Sequence, residues 1–407
     1  MPSSPPRTFS IVCIPGDGIG VDITAAATQV LTTLARTFGT FALTFDTLDW
    51  SSERYHERGY YAPPGGVEGL KKYDAIYFGA VGWPGAYFSF LSRVLADPRP
   101  PDVPDHISLW QMILPIRTTL NQYANVRPTR ILRGTTSPLS ACAADPSALD
   151  WVIVRENSEG EYAGHGGTTP SSAHAAHTVA TEVSIFTRAG IARIMRFAFE
   201  TALARPRRLL TMVTKSNAQR HGMVLWDTVF YEVAREYEGR VAYDRMLVDA
   251  MTVRMVHRPR SLDTIVATNL HADILSDLAA ALAGSIGIAP SSNLDPTRAF
   301  PSMFEPIHGS APDIAGQGIA NPVGAFWSAA EMVRWLAGAD GASNEQGLVE
   351  GTGVGNMVQA ADCLMEAIEN VTERGIKTRD LGGSSGTKEV TGAVCEEIGR
   401  VYAATIQ

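Results

Sequence analysis

The sequence predicts an α/β protein built on a parallel or mixed β-sheet. Short apolar runs indicate buried strands, amphipathic stretches such as residues 22–38 indicate helices between them, and polar or glycine-rich loops follow several strands. Alternating strands and helices indicate a wound sheet, in which ligands gather at the carboxyl ends of strands. The predicted strands are residues 10–14, 41–48, 74–78, 151–154, 208–213, 241–247 and 264–267.

Length and charge narrow the possible functions. A chain of 407 residues suggests two or three domains, or one α/β chain divided into two lobes. The net charge of −8 argues against a nucleic-acid partner, because phosphate binding needs a clustered basic surface. An acidic protein that binds an anion must concentrate its arginines locally.

Cysteine spacing and hydropathy argue against a disulfide-rich, zinc-binding, membrane-spanning or secreted protein. The four cysteines show no CxxC spacing, so reduced buried thiols are favoured over disulfides or a zinc site. The sequence contains no apolar run long enough to cross a membrane, and residues 1–10 lack an apolar signal segment. We expect a cytoplasmic protein, with connectors at residues 97–105 and 338–353. The cysteines are Cys13, Cys142, Cys363 and Cys395.

A glycine-rich turn, PGDGIG at residues 15–20, follows the first predicted strand. It begins like a dinucleotide-binding fingerprint, but Val21 stands where the third glycine is required. A tight turn at a lobe interface is therefore favoured over Rossmann-type binding.

Three arginines are candidates for binding carboxylates, because the planar guanidinium pairs with them bidentately. Arg117 and Arg127 are expected to flank a helical stretch, and Arg155 follows an apolar strand in VIVRENSEGEY. The alternative is a set of solvated surface charges.

Two aspartates and one lysine are candidates for metal binding and proton transfer. Asp273 and Asp277 lie four residues apart on one face of a predicted helix, residues 269–284. A divalent cation would offset their repulsion; the alternative is a solvated polar stripe. Lys215 follows a strand in VTKSN, where burial could make it a base, or it is an exposed loop lysine.

The segment FEPIHGSAPDIAGQGIANP, residues 304–322, is rich in glycine, proline and small residues. Such a loop offers backbone N–H groups to phosphates, and an acidic residue such as Asp313 favours the ribose of NAD over that of NADP. The alternative is a well-ordered loop without a ligand.

Together these motifs resemble the β-decarboxylating dehydrogenase family, which includes isopropylmalate, isocitrate, homoisocitrate and tartrate/D-malate dehydrogenases. The resemblance runs from residue 11 to the C-terminus. The blocks that carry it are RTTLNQYANVRP, VIVRENSEGEY, VTKSN, VDAMTV, NLHADILSDL and FEPIHGSAPDIAGQGIANP.

The resemblance implies a two-lobed isopropylmalate/isocitrate dehydrogenase-like fold with a central mixed or parallel sheet and non-Rossmann NAD binding. It implies a discontinuous NAD-binding lobe of residues 1–122 and 284–407. Residues 123–283 would form a small lobe with the dimer contact. By the same resemblance, the active site lies between the lobes of a homodimer and is completed by the partner subunit.

The resemblance also implies a role for each matching position. Tyr162 would protonate the enol carbon, and Lys215 would help to remove the hydroxyl proton. Lys215 and Asp249 would reach in from the neighbouring subunit. The substrate carboxylates would be bound by Arg117, Arg127 and Arg155, the metal by Asp249, Asp273 and Asp277, and the cofactor by Glu305, His308, Gly309, Ser310, Ala311, Asp313 and Asn321.

The implied activity is oxidative decarboxylation of a small 2-hydroxy dicarboxylic acid with NAD and Mg²⁺ or Mn²⁺. A contribution from K⁺ stays open. Two alternatives also stay open: a catalytically silent regulatory or structural paralogue, and decarboxylation without net redox change.

Within the family the chain is most similar to the tartrate/D-malate branch, on DHISLW, QYAN, RENSEGEY and GIAPSSNLDP. (R)-malate or tartrate is therefore expected, and 3-isopropylmalate or another 3-substituted malate is the alternative. We expect Trp110, Ile113 and Leu114 to face the C3 group of the substrate. Departures from the branch cluster near the expected site, at Thr118, Ala163, Gly164, His165, Thr168, His271 and Ala272.

Overall fold

The computed structural model describes residues 6–83, 103, 105–169, 178–338 and 353–405. The predicted connectors, residues 97–105 and 338–353, lie almost wholly outside them. The chain divides into two compact units. The first comprises Met1–Asn121, Leu132–Thr136 and Ala283–Gln407, and the second comprises Gln122–Ile131 and Ser137–Leu282. Unlike the expected lobes, these bounds put the short segment Leu132–Thr136 in the first unit.

Strands and helices alternate along much of the chain, as the sequence predicts. The strands are β1 Arg7–Gly16, β2 Phe41–Thr47, β3 Ala75–Ala80, β4 Ala124–Arg130, β5 Asp150–Glu156, β6 Gly160–Thr169, β7 Val179–Ile185, β8 Leu209–Thr214, β9 Ala242–Leu247, β10 Thr264–Ala267, β11 Pro290–Leu294 and β12 Ser302–Pro306. The helices are Ile19–Phe38, Ser52–Arg58, Gly66–Gly69, Asp105–Ser108, Leu114–Thr119, Ser140–Ala144, Arg188–Leu203, Gly222–Ala234, Val248–His257, Asn269–Ala283, Val323–Ala337, Gly353–Glu373 and Thr387–Thr405.

The first unit contains strands in the order β2-β1-β3-β12-β11. β1 runs parallel to β2 and β3, β12 runs parallel to β3, and β11 pairs antiparallel with β12. Val12, Ile14 and Ile76 are buried together with Phe78 and Met112 in an apolar cluster, which explains why such apolar runs form strands here.

The second unit contains strands in the order β4-β5-β10-β8-β9. β5, β10, β8 and β9 run parallel, whereas β4 pairs antiparallel with β5. The helix Arg188–Leu203 contacts β5, β8 and β10, and its Phe199 stacks on Phe230 with ring centroids 5.6 Å apart. Mixed sheets with helices packed on them confirm the predicted α/β fold.

The prediction that Arg117 and Arg127 flank one helical stretch is wrong. The helix Leu114–Thr119 carries Arg117 in its last turn, and Arg127 lies on β4 opposite Ile153 of β5. β4 exists because of this long-range pairing, which a local hydrophobic period does not reveal.

A separate two-stranded hairpin, β6–β7, extends the second unit. Its Val179 and Val183 side chains are exposed, as are those of Val253 and Val256 on the helix Val248–His257. Within the described residues, no helix is long and apolar enough to cross a membrane.

The glycine-rich turn after β1 packs backbone against backbone. Gly18 has a positive φ of 56°, and a Cβ built on it would lie 2.0 Å from the carbonyl oxygen of Ser310. The Ile19 N–H donates to that same carbonyl at 2.8 Å. The turn therefore supports the segment after β12 through a contact that only glycine permits.

We predict that Gly18→Ala destabilises the protein more than Gly39→Ala. Gly39 also has a positive φ, of 67°, but its built Cβ meets no atom of the described chain within 4 Å. Gly39→Ala should cost about 1 kcal/mol of unfolding free energy from the backbone conformation alone. Gly18→Ala should cost ~2 kcal/mol more from the overlap with Ser310. Chemical denaturation measures both, and equal losses would contradict the steric contribution.

Candidate active site

Arg155 lies at the carboxyl end of β5 and is almost completely buried, with 3% of its side chain exposed. β10 runs parallel beside β5 with Ala267 opposite Arg155, and the helix Asn269–Ala283 begins two residues later. The guanidinium therefore meets the start of this helix. Its Nε and Nη2 donate to Asn269 Oδ1 at 2.9 and 2.6 Å, and its Nη1 donates to Asp273 Oδ1.

Arg127 approaches the same helix from β4. Its Nη1 donates to Ser276 Oγ at 2.6 Å and lies 3.3 Å from Asp273 Oδ1 and 4.0 Å from Asp277 Oδ1. Its Nε donates to Asn125 Oδ1 at 2.8 Å, which orients the guanidinium plane. Two buried arginines thus converge on one carboxylate.

Tyr162 of β6 completes this group. Its hydroxyl donates to Asp273 Oδ2 at 3.4 Å, and the Arg155 guanidinium carbon lies 5.4 Å from the centre of its ring. A phenol beside a guanidinium can act as a proton donor, because the positive charge stabilises the phenolate that remains after the transfer.

Asp273 and Asp277 place their carboxylates on one face of the helix, and both side chains stay partly exposed. Burial is the largest influence on the pKa of Asp277 and raises it; Arg127 and Arg155 lower it, and repulsion from Asp273 raises it. Exposed carboxylates that repel each other suit a hard divalent cation. Within one chain, the described residues contain no group of three or more His, Cys, Asp or Glu that could hold a metal ion.

Lys215 and Asp249 form a second group in this unit. Because β8 and β9 are parallel with Thr214 opposite Leu247, the residues after both strands lie together. Lys215 Nζ donates to Asp249 Oδ1 at 2.7 Å, and this bond lowers the pKa of the Asp249 carboxyl. The Asp249 side chain is 64% exposed.

In the first unit the structure pairs two residues that the sequence assigned to different ligands. Glu305, expected in the cofactor loop, is buried and accepts hydrogen bonds from Arg117 Nη2 at 3.1 Å and Asn293 Nδ2 at 2.7 Å. The expected substrate arginine is thus held next to the start of the expected cofactor loop.

Other residues of this loop are held by the first unit or face outward. Ser310 Oγ donates to the Gly82 carbonyl oxygen, and Asp313 is exposed. Asn321 donates to Asp380 at 2.8 Å and accepts from the Val323 N–H at 3.0 Å. Ala311 adopts a positive φ of 38°.

Within the described part of the chain, His308 and Gly309 have features that suit a nucleotide-binding site: a ring nitrogen without a partner and open space beside the backbone. Burial lowers the pKa of His308, and its Nε2 has no hydrogen-bond partner among the described residues. A Cβ built on Gly309 meets no described atom within 4 Å. A neutral imidazole with an unused nitrogen, an open glycine and the exposed Asp313 carboxylate fit a nucleotide's base, phosphates and ribose.

The three residues expected to face the C3 group differ in their surroundings. Trp110 is 43% exposed, Leu114 is buried, and Ile113 packs against the apolar cluster of the first unit. A π-helical turn, Leu109–Ile113, lies between the helices Asp105–Ser108 and Leu114–Thr119. Such turns frequently mark functional sites.

Sequence reasoning missed Asn125, Asn269 and Ser276 as the residues that orient the two arginines. Asn269 precedes Asp273 by four residues on the same helix, so the spacing could have identified it.

His271 is buried on this helix, and its Nδ1 has no partner among the described residues. Burial lowers the pKa of His271, Glu161 raises it, and Lys215 lowers it.

We predict that His271→Phe removes part of the acid sensitivity of folding. Because the folded-state pKa lies below the unfolded value, the unfolded chain binds the proton more tightly, and stability falls as pH drops through that unfolded value. The stability of the variant relative to wild type should therefore increase between about pH 7 and pH 5. Urea unfolding at several pH values measures this, with the exposed His56→Phe as control. Parallel pH profiles for wild type and His271→Phe would refute it.

A family model described as isocitrate/isopropylmalate dehydrogenase matches residues 10–398 of the chain. The chain is 55% identical over 392 residues to a probable tartrate dehydrogenase/decarboxylase of Agrobacterium vitis, covering 96% of this chain and 98% of that protein. It is 42% identical over 393 residues to D-malate dehydrogenase [decarboxylating] of Escherichia coli K12, covering 96% and 99%.

Solved structures show the same similarity. The crystal structure of isocitrate dehydrogenase from Methylococcus capsulatus matches with a TM-score of 0.76 and 30% identity, over 96% of this chain and 99% of that one. A protein from Thermus thermophilus matches with a TM-score of 0.75 and 28% identity, over 96% of this chain and 68% of that one.

Proposed function

Because the chain belongs to the isocitrate/isopropylmalate dehydrogenase family, we propose that it catalyses the NAD- and metal-dependent oxidative decarboxylation of a small 2-hydroxy dicarboxylic acid. Family membership confirms the resemblance found in the sequence, including the tartrate and D-malate relatives. The observation that carries the proposal is the convergence of Arg127, Arg155 and Tyr162 on Asp273 in the second unit.

Each residue of this group has a chemical role in the proposal. Arg127 and Arg155 bind substrate carboxylate and stabilise the negative charge that develops when CO₂ leaves. Tyr162 delivers a proton to C3, and Lys215 accepts the proton of the 2-hydroxyl group. Arg117 is a third candidate for binding a substrate carboxylate. A silent paralogue is disfavoured because these acid, base and aspartate positions are all occupied by reactive residue types.

The proposed reaction also needs a metal ion and NAD, which the protein would bind from solution. Asp273 and Asp277 of one chain, with Asp249 of a second, are the proposed ligands of Mg²⁺ or Mn²⁺, a Lewis acid for the 2-hydroxyl group and the adjacent carboxylate. The segment from Glu305 to Asn321 is the proposed site of NAD, the hydride acceptor. The exposed Asp313 carboxylate favours NAD, because it would repel the 2′-phosphate of NADP.

The relatives favour (R)-malate or tartrate as substrate. Their names state tartrate dehydrogenase/decarboxylase and D-malate dehydrogenase (decarboxylating). Three residues were expected to face the C3 group of the substrate. Of these, the exposed Trp110 remains available to a ligand, whereas Ile113 and Leu114 contribute to packing. A 3-substituted malate is the second candidate, because an exposed indole offers an apolar surface to a C3 substituent.

We predict NADH formation from (R)-malate or a tartrate in the presence of Mg²⁺ or Mn²⁺. The same assay should test 3-isopropylmalate and isocitrate as substrates. Control reactions should replace NAD with NADP and replace the metal with a chelator. We expect turnover to require the metal and to prefer NAD. Turnover with 3-isopropylmalate alone would overturn the substrate assignment. Carbon dioxide release without NADH would show redox-neutral decarboxylation, and no turnover with any substrate would favour the silent paralogue.

We propose that the chain acts as a homodimer through its second unit. Apolar side chains remain exposed on the hairpin β6–β7 and on two helices. Exposed apolar patches are typical of association surfaces. A self-complementary contact of such a surface is the commonest way to form a dimer. The residues are Val179, Val183, Val253, Val256 and Ile274.

We predict that mixed dimers of Tyr162→Phe and Lys215→Met chains recover activity. If Lys215 acts in the partner's site, one of the two sites in a mixed dimer keeps both Tyr162 and Lys215. Each homodimer lacks one of the two residues at both sites. Differently tagged chains can be co-expressed, purified as the mixed species and assayed. Activity no higher than that of the homodimers would show that Lys215 acts within its own chain.

A further inference from the structure

A buried carboxylate lies on the helix Gly222–Ala234, outside the candidate site. Asp227 is 8% exposed, and its neighbours on the helix include the fully buried Trp226 and Phe230. Placing an ionised carboxylate among aromatic residues is unfavourable unless it is paired and hydrogen-bonded. An apolar side chain would pack better at this position, so packing of the helix does not by itself account for an aspartate here.

Asp227 connects three parts of the second unit through one oxygen. Its Oδ2 accepts a hydrogen bond from Ser216 Oγ at 2.7 Å and another from Arg245 Nη1 at 2.6 Å. Ser216 lies in the turn after β8, and Arg245 lies on β9. The helix thus holds both the turn and the strand with a single charged group.

Both contacts of Asp227 lie close in sequence to the Lys215–Asp249 pair. Ser216 directly follows Lys215, and Arg245 precedes Asp249 by four residues. The Lys215 carbonyl oxygen accepts from the Ala218 N–H at 2.9 Å, so Lys215 and Ser216 belong to one tight turn. A shift of Ser216 or of β9 would therefore change the 2.7 Å separation of Lys215 Nζ and Asp249 Oδ1.

We propose that Asp227 is a positioning residue that sets the spacing of Lys215 and Asp249 by holding the turn after β8 and strand β9 together. The inference rests on the proposed function in one respect, that Lys215 and Asp249 take part in the reaction. The position of Lys215 can be measured without turnover, so the two proposals can fail separately.

The matched control is a second buried carboxylate of the same unit. Asp263 is fully buried and accepts from Arg205 Nε at 2.6 Å, directly before β10. Because β8 and β10 are parallel, Asp263 lies at the strand ends opposite to the end that carries Lys215. Asp263→Asn removes a comparable buried charge without touching the Lys215 turn.

The test measures acetylation of Lys215 by acetic anhydride, at one pH and relative to the exposed Lys388, by peptide mass spectrometry of the intact full-length protein. Asp227→Asn retains an oxygen for Ser216 but loses the charge that holds Arg245. We expect faster acetylation of Lys215 in Asp227→Asn and the wild-type rate in Asp263→Asn. With the active enzyme, kcat should fall about 10- to 100-fold with a smaller change in KM, as expected for misplaced reactive groups.

Two further variants keep the test decisive. Ser216→Ala removes the contact from the turn but leaves Asp227 paired with Arg245, so it serves if Asp227→Asn does not fold. Arg245→Lys keeps the charge and should retain more activity than Arg245→Met. If Asp227→Asn and Ser216→Ala leave Lys215 acetylation and kcat at wild-type values, the inference is overturned. If Lys215→Met keeps full activity, the role of Lys215 fails, while acetylation still reports on its position.

Discussion

The charge of Arg155 imposes the arrangement of the second unit. A guanidinium almost fully removed from water must be matched by an anion and by acceptors for its remaining N–H groups. Asp273 and Asn269 meet this requirement from the first two turns of one helix. The helix start is thereby tied to the end of β5, and Arg127, Tyr162 and Asp277 take their places around the same carboxylate.

Parallel pairing explains why reactive residues gather at one end of this sheet. β5, β10, β8 and β9 end side by side, so the residues that follow them in sequence become neighbours. Arg155 with the helix after β10 forms one group, and Lys215 with Asp249 forms the other. Their charges largely compensate within each group, which leaves polar atoms arranged for a ligand without a large uncompensated charge inside the unit.

The first unit relies on backbone contacts and buried pairs to hold its loops. The close approach of Gly18 to Ser310 and the bond of Ser310 to Gly82 support the segment after β12 from two sides. Arg117 and Glu305 neutralise each other beneath the same segment. A loop held in this way can present the exposed Asp313 carboxylate without large motion, which lowers the entropic cost of binding a nucleotide.

The sequence by itself determined the α/β class, seven strands close to their observed bounds, and the motifs that identify the family. These features depend on local hydrophobic period, turn residues and residue order. Only the tertiary structure showed the strands β4, β6, β7, β11 and β12, the Arg117–Glu305 pair and the links from Asp227 to Ser216 and Arg245. Each of these features brings together residues that are in contact only because of strand register or the packing of a helix against a strand. A hydrophobic pattern shows which residues are buried, but the partner of a buried charge is decided by packing.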